Sequence, residues 1–167
     1  MHVAQKRSSK TTSKWSEKLR VRTTKLGKGL FARRQFRKGQ TIGEAVGKLI
    51  ESEDYDSRHC VEISDNMVLE PAAPFRYLNH SCEPNCELFS WEPDEDGDES
   101  HRVFVQAMRT IRAGEELTID YAWQADAAIP CLCSATNCRG WIVDINELHK
   151  VRRSVGRSSK GLRRKRA

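Results

Sequence analysis

Short runs in which apolar and polar residues alternate recur along the chain, and such alternation is typical of β-strands. The clearest run is Leu19–Thr24, where Leu and Val alternate with Arg. Further strands are predicted at Thr41–Val46, Val61–Ile63, Met67–Leu69, Cys86–Trp91, Arg102–Ala107 and Leu117–Tyr121. Helical periodicity is confined to Ile145–Val151. The pattern therefore predicts a mostly β domain, without the strand–helix alternation of dinucleotide-binding domains.

Glycine and proline separate these strands. Gly27-Lys28-Gly29 predicts a turn before a strand at residues 30–32, and residues 37–40 predict a second turn. Pro71 and Pro74 interrupt regular structure, and residues 92–101 predict an acidic hairpin tip. Residues 130–140 read as a loop.

Charge divides the chain into three parts. Residues 1–22 hold seven Lys/Arg and one Glu, and residues 150–167 hold nine Lys/Arg and no acid, which leaves 13 basic and 22 acidic residues in 23–149. Basic ends of this kind are predicted to be flexible and to contact nucleic acid or another polyanion. The acidic body favours either a cationic substrate such as a lysine-rich peptide or a plain solvated surface.

The length of 167 residues suits one domain with flexible ends. No apolar run reaches the roughly 18 residues of a membrane span. The first 20 residues lack the apolar segment of a secretory signal. We therefore expect an intracellular, soluble protein, located in the nucleus or on the chromosome in a eukaryote and in the cytoplasm in a bacterium.

Six cysteines in an intracellular chain argue against a disulfide framework. Cys131, Cys133 and Cys138 lie within eight residues, a clustering that indicates either a metal site or three free thiols. Cys60 and Cys86 are predicted to be buried thiols.

Two segments carry candidate chemistry. In RYLNHSCEPNC, at residues 76–86, the Asn79 amide and the His80 imidazole either hold a polar ligand or satisfy a tight turn. In GEELTIDY, at residues 114–121, Tyr121 at the strand end is either functional or an ordinary rim aromatic.

Taken together and in this order, these segments resemble the SET domain of protein-lysine methyltransferases. GKGLFA resembles that family's cofactor turn, RYLNHSCEPNC its central motif, GEELTIDY its catalytic strand, and PCLCSATNCRGWI its post-SET tail. The resemblance runs from about Leu19 to Trp141. It divides the chain into a basic arm at 1–17, a SET domain at 18–124, a post-SET segment at 125–149 and a basic disordered tail at 150–167.

The resemblance implies a β-clip-like SET fold of short sheets. In that fold the C-terminal segment threads under the loop that carries NHSC, a rare exception to the rule against knotted connections. It also implies a post-SET loop bound to one structural Zn²⁺, held by Cys131, Cys133 and Cys138 with Cys82 as the fourth ligand.

The implied activity is transfer of a methyl group from S-adenosyl-L-methionine to a lysine ε-amine. Tyr121 matches the family's catalytic tyrosine. The positions that match cofactor contacts are Lys28, Gly29, Leu30, His59, Arg76, Asn79, His80, Tyr121 and Trp141. Two of these positions have an equally weighted alternative role. Arg76 fits a structural ion pair equally well, and Trp141 fits a core aromatic equally well.

Three positions depart from the family pattern. Ala45 stands where many members have tyrosine, and His59 falls near a cofactor-contacting aromatic. Ile119 replaces the Phe or Tyr that precedes the catalytic tyrosine by two residues. Because Ile119 has no hydroxyl to hold a water, we expect the product to extend to di- or trimethyl-lysine.

The sequence therefore predicts a protein-lysine methyltransferase acting on a histone or a histone-like basic tail. The alternative is a weak or inactive SET-fold binding module, tethered to DNA or chromatin by its basic ends. A third interpretation is a zinc-stabilised interaction domain without cofactor.

Overall fold

The computed structural model describes residues 12–51, 59–64, 66–91 and 102–151. The hairpin tip at 92–101, most of the segment between β4 and β5, and most of both basic ends lie outside these described residues. The elements are α1 (Thr12–Lys18), β1 (Leu19–Thr24), β2 (Gly27–Ala32), β3 (Thr41–Glu44), β4 (Gly47–Glu51), β5 (Val61–Ser64), β6 (Met67–Pro71), a 3-10 turn (Phe75–Tyr77), β7 (Asn79–His80), β8 (Cys86–Trp91), β9 (Arg102–Ala107), β10 (Glu116–Ile119), β11 (Ile129–Pro130) and β12 (Trp141–Ile142). The prediction of a mostly β chain is confirmed.

Two compact units divide the chain. The sheet unit comprises Met1–Asn79 and Asn85–Ile119, and the cysteine unit comprises His80–Pro84 and Asp120–Ala167. The predicted bounds of the arm, the SET domain, the post-SET segment and the tail, and the threading of the C-terminal segment, stay predictions.

Three small sheets build the sheet unit, in the orders β1-β2-β10-β7, β3-β9-β8 and β4-β6-β5. The registers β1–β2, β10–β2, β3–β9, β8–β9, β4–β6 and β5–β6 are all antiparallel. β7 contributes Asn79 to this unit and His80 to the cysteine unit. β1–β2, β5–β6 and β8–β9 are hairpins of consecutive strands, whereas β2–β10, β3–β9 and β4–β6 pair strands that do not follow each other along the chain.

The turn between β1 and β2 corrects one prediction. Gly27 and Lys28 pair with Thr24 and Thr23, so GKG belongs to β2, and the turn is made by residues 25–26. Gly27 has φ of +110°, which a residue without a side chain adopts without steric cost. The Thr24 hydroxyl accepts the Leu26 N–H at 3.1 Å and closes the turn.

The core of the sheet unit comes from the alternating strands. In β9, Val103, Val105 and Ala107 are buried and alternate with half-buried residues, and β9 pairs with β8 over the full predicted hairpin, Cys86↔Ala107 to Trp91↔Arg102. In the neighbouring sheet, β1, β2 and β10 bury the fully enclosed side chains Leu19, Leu30 and Leu117. The apolar face of each sheet thus forms a common core.

Other strand limits differ from the prediction by a few residues. β3 ends at Glu44 rather than Val46, and β10 ends at Ile119. Tyr121 is therefore two residues beyond its strand. β4 was not predicted, because its Gly-Lys-Leu-Ile-Glu run does not alternate.

The described residues reach into both predicted basic ends. Residues 12–17 are helical, and Trp15 is half-buried, which the polar composition of this segment does not reveal. Residues 148–151 are helical, and Val151 is buried. Only this last turn of the predicted 145–151 helix forms. Among the described residues no helix is long and apolar enough to cross a bilayer.

Candidate active site and metal centre

Four cysteine sulfurs converge in the cysteine unit. Cys82 Sγ lies 3.7 Å from Cys131 Sγ and 3.9 Å from Cys138 Sγ, and the Cys82 backbone N–H lies 3.5 Å from Cys133 Sγ. A tetrahedral zinc site with Zn–S bonds of about 2.3 Å has sulfur–sulfur edges of about 3.8 Å. The two sulfur–sulfur distances from Cys82 therefore match the edges of a tetrahedral zinc site, and Cys133 Sγ lies within 4.8 Å of the Cys82 and Cys131 sulfurs.

The loop from 131 to 140 is shaped for this convergence. β11 and β12 pair just outside it, through Pro130↔Trp141, and the Cys131 N–H donates to the Gly140 carbonyl at 3.0 Å. Ser134 and Gly140 adopt positive φ, 58° and 80°, which turns the chain tightly. This closure brings three cysteines that are separated by up to seven positions into one cluster.

Backbone amides point at three of the sulfurs, and the first of these contacts is the one from Cys82 to Cys133 Sγ. The Arg139 N–H donates to Cys82 Sγ and the Gly140 N–H to Cys138 Sγ, each at 3.4 Å. Burial alone would raise the pKa of Cys133, but the Cys82 and Ala135 amides and the neighbouring thiols bring it to about 7. Burial instead raises the pKa values of Cys82 and Cys131, so these two thiols would have to lose their protons on binding a metal, because the thiolate is the ligand.

His80 belongs to the same cluster. Its ring and the sulfurs of Cys82, Cys131 and Cys133 lie within 4.8 Å of one another, a grouping that would also suit a metal. Five candidate ligands therefore surround a site that takes four. Burial is the main cause that lowers the pKa of His80, although Asp120 opposes it, so the imidazole is neutral at pH 7.

Tyr121 is half-buried between two other aromatic rings of the cysteine unit. The ring centroid of His80 lies 5.5 Å away and that of Trp123 lies 5.4 Å away. The Tyr121 backbone N–H donates to His80 Nδ1 at 3.2 Å. Contacts with two neighbouring rings and a hydrogen-bonded backbone amide restrict where the phenol can point.

An ion pair holds the residue before Tyr121. The Arg139 guanidinium donates to both oxygens of Asp120, at 2.6 and 2.7 Å. Burial would raise the pKa of Asp120, but the Arg139 hydrogen bonds and charge and the Ala122 N–H lower it overall. The side chain of Arg139 is 10% exposed, and a forked Arg–carboxylate pair of this kind fixes both partners.

Three of the predicted cofactor contacts, Lys28, Gly29 and Asn79, lie in the sheet unit. Asn79 Nδ2 donates to the Lys28 carbonyl at 3.2 Å and to Glu116 Oε1 at 2.7 Å. Gly29 is buried, and a Cβ at this position would come within 2.3 Å of Glu116 Oε1. The structure thus brings Lys28, Gly29 and Asn79 together around the Glu116 carboxylate, a residue that the sequence analysis missed.

The other predicted cofactor contacts not yet described are Leu30, His59, Arg76 and Trp141. The Leu30 side chain is fully buried, so only its backbone is available to a ligand. Lys28 Nζ and Arg76 Cζ lie 5.3 and 6.0 Å from the Tyr77 ring centroid. His59 is exposed before β5 in the sheet unit, and Trp141 is half-buried in β12 of the cysteine unit.

The fold and these motifs agree with a comparison against protein families. The family model of the SET domain matches residues 27–122, more than half of the chain. The chain belongs to the SET-domain family. The matched region includes Lys28, Asn79 and Tyr121, whereas Cys131, Cys133 and Cys138 lie beyond it.

Two curated relatives with similar sequences are named as histone-lysine N-methyltransferases. The chain is 31% identical over 160 residues to "Histone-lysine N-methyltransferase trr" of Drosophila melanogaster, which covers 85% of this chain and 6% of that protein. It is 34% identical over 138 residues to "Histone-lysine N-methyltransferase Set2" of the same fly, covering 72% of this chain and 6% of that protein. The chain thus spans only a small part of the length of these relatives.

Solved SET-family structures are also similar. A crystal structure of KRYPTONITE in complex with mCHH DNA, H3(1-15) peptide and SAH matches with a TM-score of 0.63 and 25% identity, over 74% of this chain and 29% of that one. A complex of KRYPTONITE with mCHG DNA and SAH matches with a TM-score of 0.65 and 26% identity, over 74% of this chain and 28% of that one.

Proposed function

We propose that this chain is a protein-lysine methyltransferase that uses S-adenosyl-L-methionine. The observation that carries the proposal is Tyr121, held between the rings of His80 and Trp123 and followed closely by a four-cysteine site in the same unit. SET-family membership and the names of the relatives support the reaction type.

The nucleophile of this reaction must be a neutral amine. A free lysine has a pKa of about 10.4, so deprotonation at pH 7 costs roughly 4–5 kcal/mol. S-adenosyl-L-methionine supplies the methyl group as a sulfonium, so the new N–C bond forms as the S–C bond breaks and the thioether S-adenosyl-homocysteine leaves. The chain has to desolvate and orient the amine, a large contribution in a two-substrate reaction.

We propose that the Tyr121 hydroxyl performs this orientation. The phenol accepts a hydrogen bond from the lysine amine and keeps its lone pair directed at the methyl group. No strong general base is required for the methyl transfer, because desolvation and the positive sulfonium both lower the pKa of the lysine. Proposed cofactor contacts are the backbone of 28–30 and the side chains or backbone of Arg76, Asn79, His80 and Trp141.

The hydrogen bonds of Asn79 support its proposed role in cofactor binding. Both donor hydrogens of its amide are engaged by the Lys28 carbonyl and Glu116, so Oδ1 is the atom of this amide that could accept from a ligand N–H, with respect to the residues that the structure describes. The buried Gly29 keeps the backbone of β2 open to close approach.

We propose that Cys82, Cys131, Cys133 and Cys138 bind one structural zinc ion. Four thiolates fill a tetrahedral site and leave no position for a water or a substrate, which is the arrangement of structural rather than catalytic zinc. The zinc then holds the 80–84 segment and the 131–140 loop together.

The substrate we propose is a histone-like basic tail, with chromatin as the location and nucleic acid as a contact of the basic ends. The names of trr and Set2 and the H3 peptide and DNA in the KRYPTONITE complex support these proposals. Nine Lys/Arg in residues 150–167 provide the positive charge for a DNA contact.

Ile119 leads to a proposal about the product. Its apolar side chain is 8% exposed and lies two residues before Tyr121. Without a hydroxyl to hold a water, it leaves space for an amine that already carries methyl groups. We expect di- or trimethyl-lysine in the intact mass of a peptide product, and strict monomethylation under excess cofactor would contradict this.

The direct test is transfer of labelled methyl to core histones by the zinc-loaded chain. We expect transfer by the wild type and by Ser90→Ala, a control that removes an exposed hydroxyl from β8. Tyr121→Phe should lose transfer while still binding the cofactor in calorimetry. Absence of both transfer and cofactor binding in the wild type would overturn the proposal in favour of a binding module.

A further inference from the structure

His80 contacts three groups with its two ring nitrogens. Nδ1 lies 3.2 Å from the Tyr121 backbone nitrogen and 3.4 Å from Asp120 Oδ1, and Nε2 lies 3.4 Å from Cys82 Sγ. Asp120 Oδ1 already accepts hydrogen bonds from Arg139 and from the Ala122 N–H. The imidazole therefore stands between a proposed zinc ligand and the backbone of the proposed catalytic residue.

The Tyr121 contact decides which nitrogen carries the proton. A backbone N–H can only donate, so Nδ1 must offer its lone pair to Tyr121. A neutral imidazole has one acceptor and one donor nitrogen, and the proton consequently resides on Nε2. Nε2–H then donates to the sulfur of Cys82 and has no lone pair left for a metal.

The ligand count leads to the same assignment. A closed structural zinc site takes four ligands, and the Cys131 and Cys138 sulfurs lie at tetrahedral-edge distances from Cys82 Sγ, with Cys133 Sγ within 4.8 Å of it. His80 is the fifth candidate. An N–H donated to a metal-bound thiolate is an outer contact that orients the ligand, and such contacts tune metal affinity.

Arg139 makes a second connection between the same two places. Its backbone N–H donates to Cys82 Sγ at 3.4 Å, and its guanidinium holds Asp120, the residue before Tyr121, with two hydrogen bonds. Asp120 Oδ1 in turn accepts the Ala122 N–H at 3.1 Å. The backbone on both sides of Tyr121 is thus tied to the residues that contact the Cys82 sulfur.

We infer that His80 and Arg139 are positioning residues that couple the metal site to Tyr121, with His80 outside the ligand set. A metal bound by Cys82 would fix its sulfur, and the contacts of His80 and Arg139 with that sulfur, Tyr121 and Asp120 would then hold the Tyr121 backbone where its hydroxyl acts. The part about Tyr121 rests on the proposed function, whereas the ligand assignment does not.

Variants of His80 can separate its two contacts. His80→Asn keeps an acceptor near the position of Nδ1 and loses the donor to Cys82. His80→Gln keeps a donor near the position of Nε2 and loses the acceptor, and His80→Ala loses both. His149→Asn is the matched control, because His149 is an exposed histidine of the same unit.

The first measurement is the absorption spectrum of the full chain loaded with Co²⁺, whose thiolate bands report the number of sulfur ligands. We expect the four-thiolate spectrum in the wild type, in His149→Asn and in all three His80 variants, and a weaker thiolate band in Cys138→Ser. Zinc affinity in chelator competition should fall about 10–100-fold in His80→Ala. If the Co²⁺ spectrum changed in the His80 variants and stayed that of the wild type in Cys138→Ser, His80 would be a metal ligand in place of Cys138. This result would overturn the assignment.

The second measurement is hydrogen exchange of the Tyr121 amide in the zinc-loaded chain. We expect slow exchange in the wild type and in His80→Asn, and at least tenfold faster exchange in His80→Gln and His80→Ala. In methyl transfer, kcat should fall more in His80→Gln than in His80→Asn, with KM for the peptide unchanged. Equal exchange of the Tyr121 amide in all variants would overturn the coupling. The expected exchange pattern across the variants, together with no methyl transfer by the wild type, would contradict only the proposed function.

Discussion

The two units of the molecule are held together in different ways. The sheet unit is built from three sheets with extended antiparallel strand registers, and it buries apolar residues from all three, among them Leu30 and Val105, which are fully enclosed. The cysteine unit has one ladder of two residue pairs, β11–β12. Of its described apolar residues, Val143 and Val151 are buried.

Side-chain contacts take the place of a core in the cysteine unit. Its sulfurs, the Asp120–Arg139 pair and the hydrogen bond from Asn137 to Glu83 join segments that strand pairing does not connect. A region with so little buried apolar surface needs another source of stability, and a bound metal is a common one. The comparison teaches that Tyr121 and the four cysteines of the proposed zinc site lie in a unit whose order depends on polar contacts.

The largest effect should follow metal removal. Structural zinc contributes about 10–16 kcal/mol of apparent binding energy in small zinc-dependent domains. We expect chelation, or Cys82→Ser, to abolish hydrogen-exchange protection in residues 120–151 while the β8–β9 ladder keeps its protection. Cys60→Ser is the control cysteine and should leave both units protected. Equal loss in both units after chelation would refute the contrast between them.

A cavity in the sheet core should have the next largest effect. Leu30→Ala removes a fully buried side chain and should cost about 2–5 kcal/mol of unfolding free energy. Zinc content should remain that of the wild type, since no sulfur is touched. Leu26→Ala is the control, because Leu26 is 53% exposed and its truncation should cost no more than about 0.5 kcal/mol in denaturant unfolding.

Removal of the Asp120 charge should have a smaller effect, confined to the cysteine unit. Asp120→Asn leaves the Arg139 charge, 10% exposed, without its carboxylate partner. Full burial would make this cost several kcal/mol, but Asp120 is 30% exposed, so we expect about 1–3 kcal/mol. Faster hydrogen exchange near Tyr121 would accompany it. A variant as stable as the wild type would show that the pair contributes nothing.

The smallest effect is expected at the surface pair of the sheet unit, Arg109 with Glu115 at 2.8 Å. Glu115→Gln should cost about 0.2–1 kcal/mol at pH 7. Burial would raise the pKa of Glu115, but the Arg112 amide and Arg109 lower it overall, so its contribution is complete above pH 4.5 and is lost as the pH falls through the lowered pKa. The difference between the variant and the wild type should therefore shrink below pH 4.5. A difference that grows in acid would contradict the assignment.

The sequence predicts those parts of the fold whose pattern is local. The β8–β9 hairpin has the predicted bounds because each arm alternates over six residues. β4 and α1 lack this signal, since β4 has exposed residues on both faces and α1 is rich in Ser, Thr and Lys. Their formation depends on neighbours, β6 for β4 and the β1 end for α1, which no short window of sequence contains.

The residues of the candidate site were likewise predicted only where a local motif contains them. The motifs name Asn79, His80, Tyr121 and the four cysteines, and the structure brings the four sulfurs together. Glu116 and the Asp120–Arg139 pair were missed, although the acidic residues stand in the quoted GEELTIDY motif. Their partners lie 37 and 19 positions away, and pairing over such distances has no periodic signature. The two roles of the His80 ring likewise require coordinates.

The central claim is that metal binding in the cysteine unit makes Tyr121 competent for lysine methylation. The most direct measurement adds zinc stepwise to the metal-free full chain and follows methyl transfer from S-adenosyl-L-methionine to a histone H3 peptide. The account predicts that transfer rises with zinc up to one equivalent and then stays constant, and that Tyr121→Phe transfers nothing at any zinc content. Equal transfer by the metal-free chain, or by Tyr121→Phe, would contradict it.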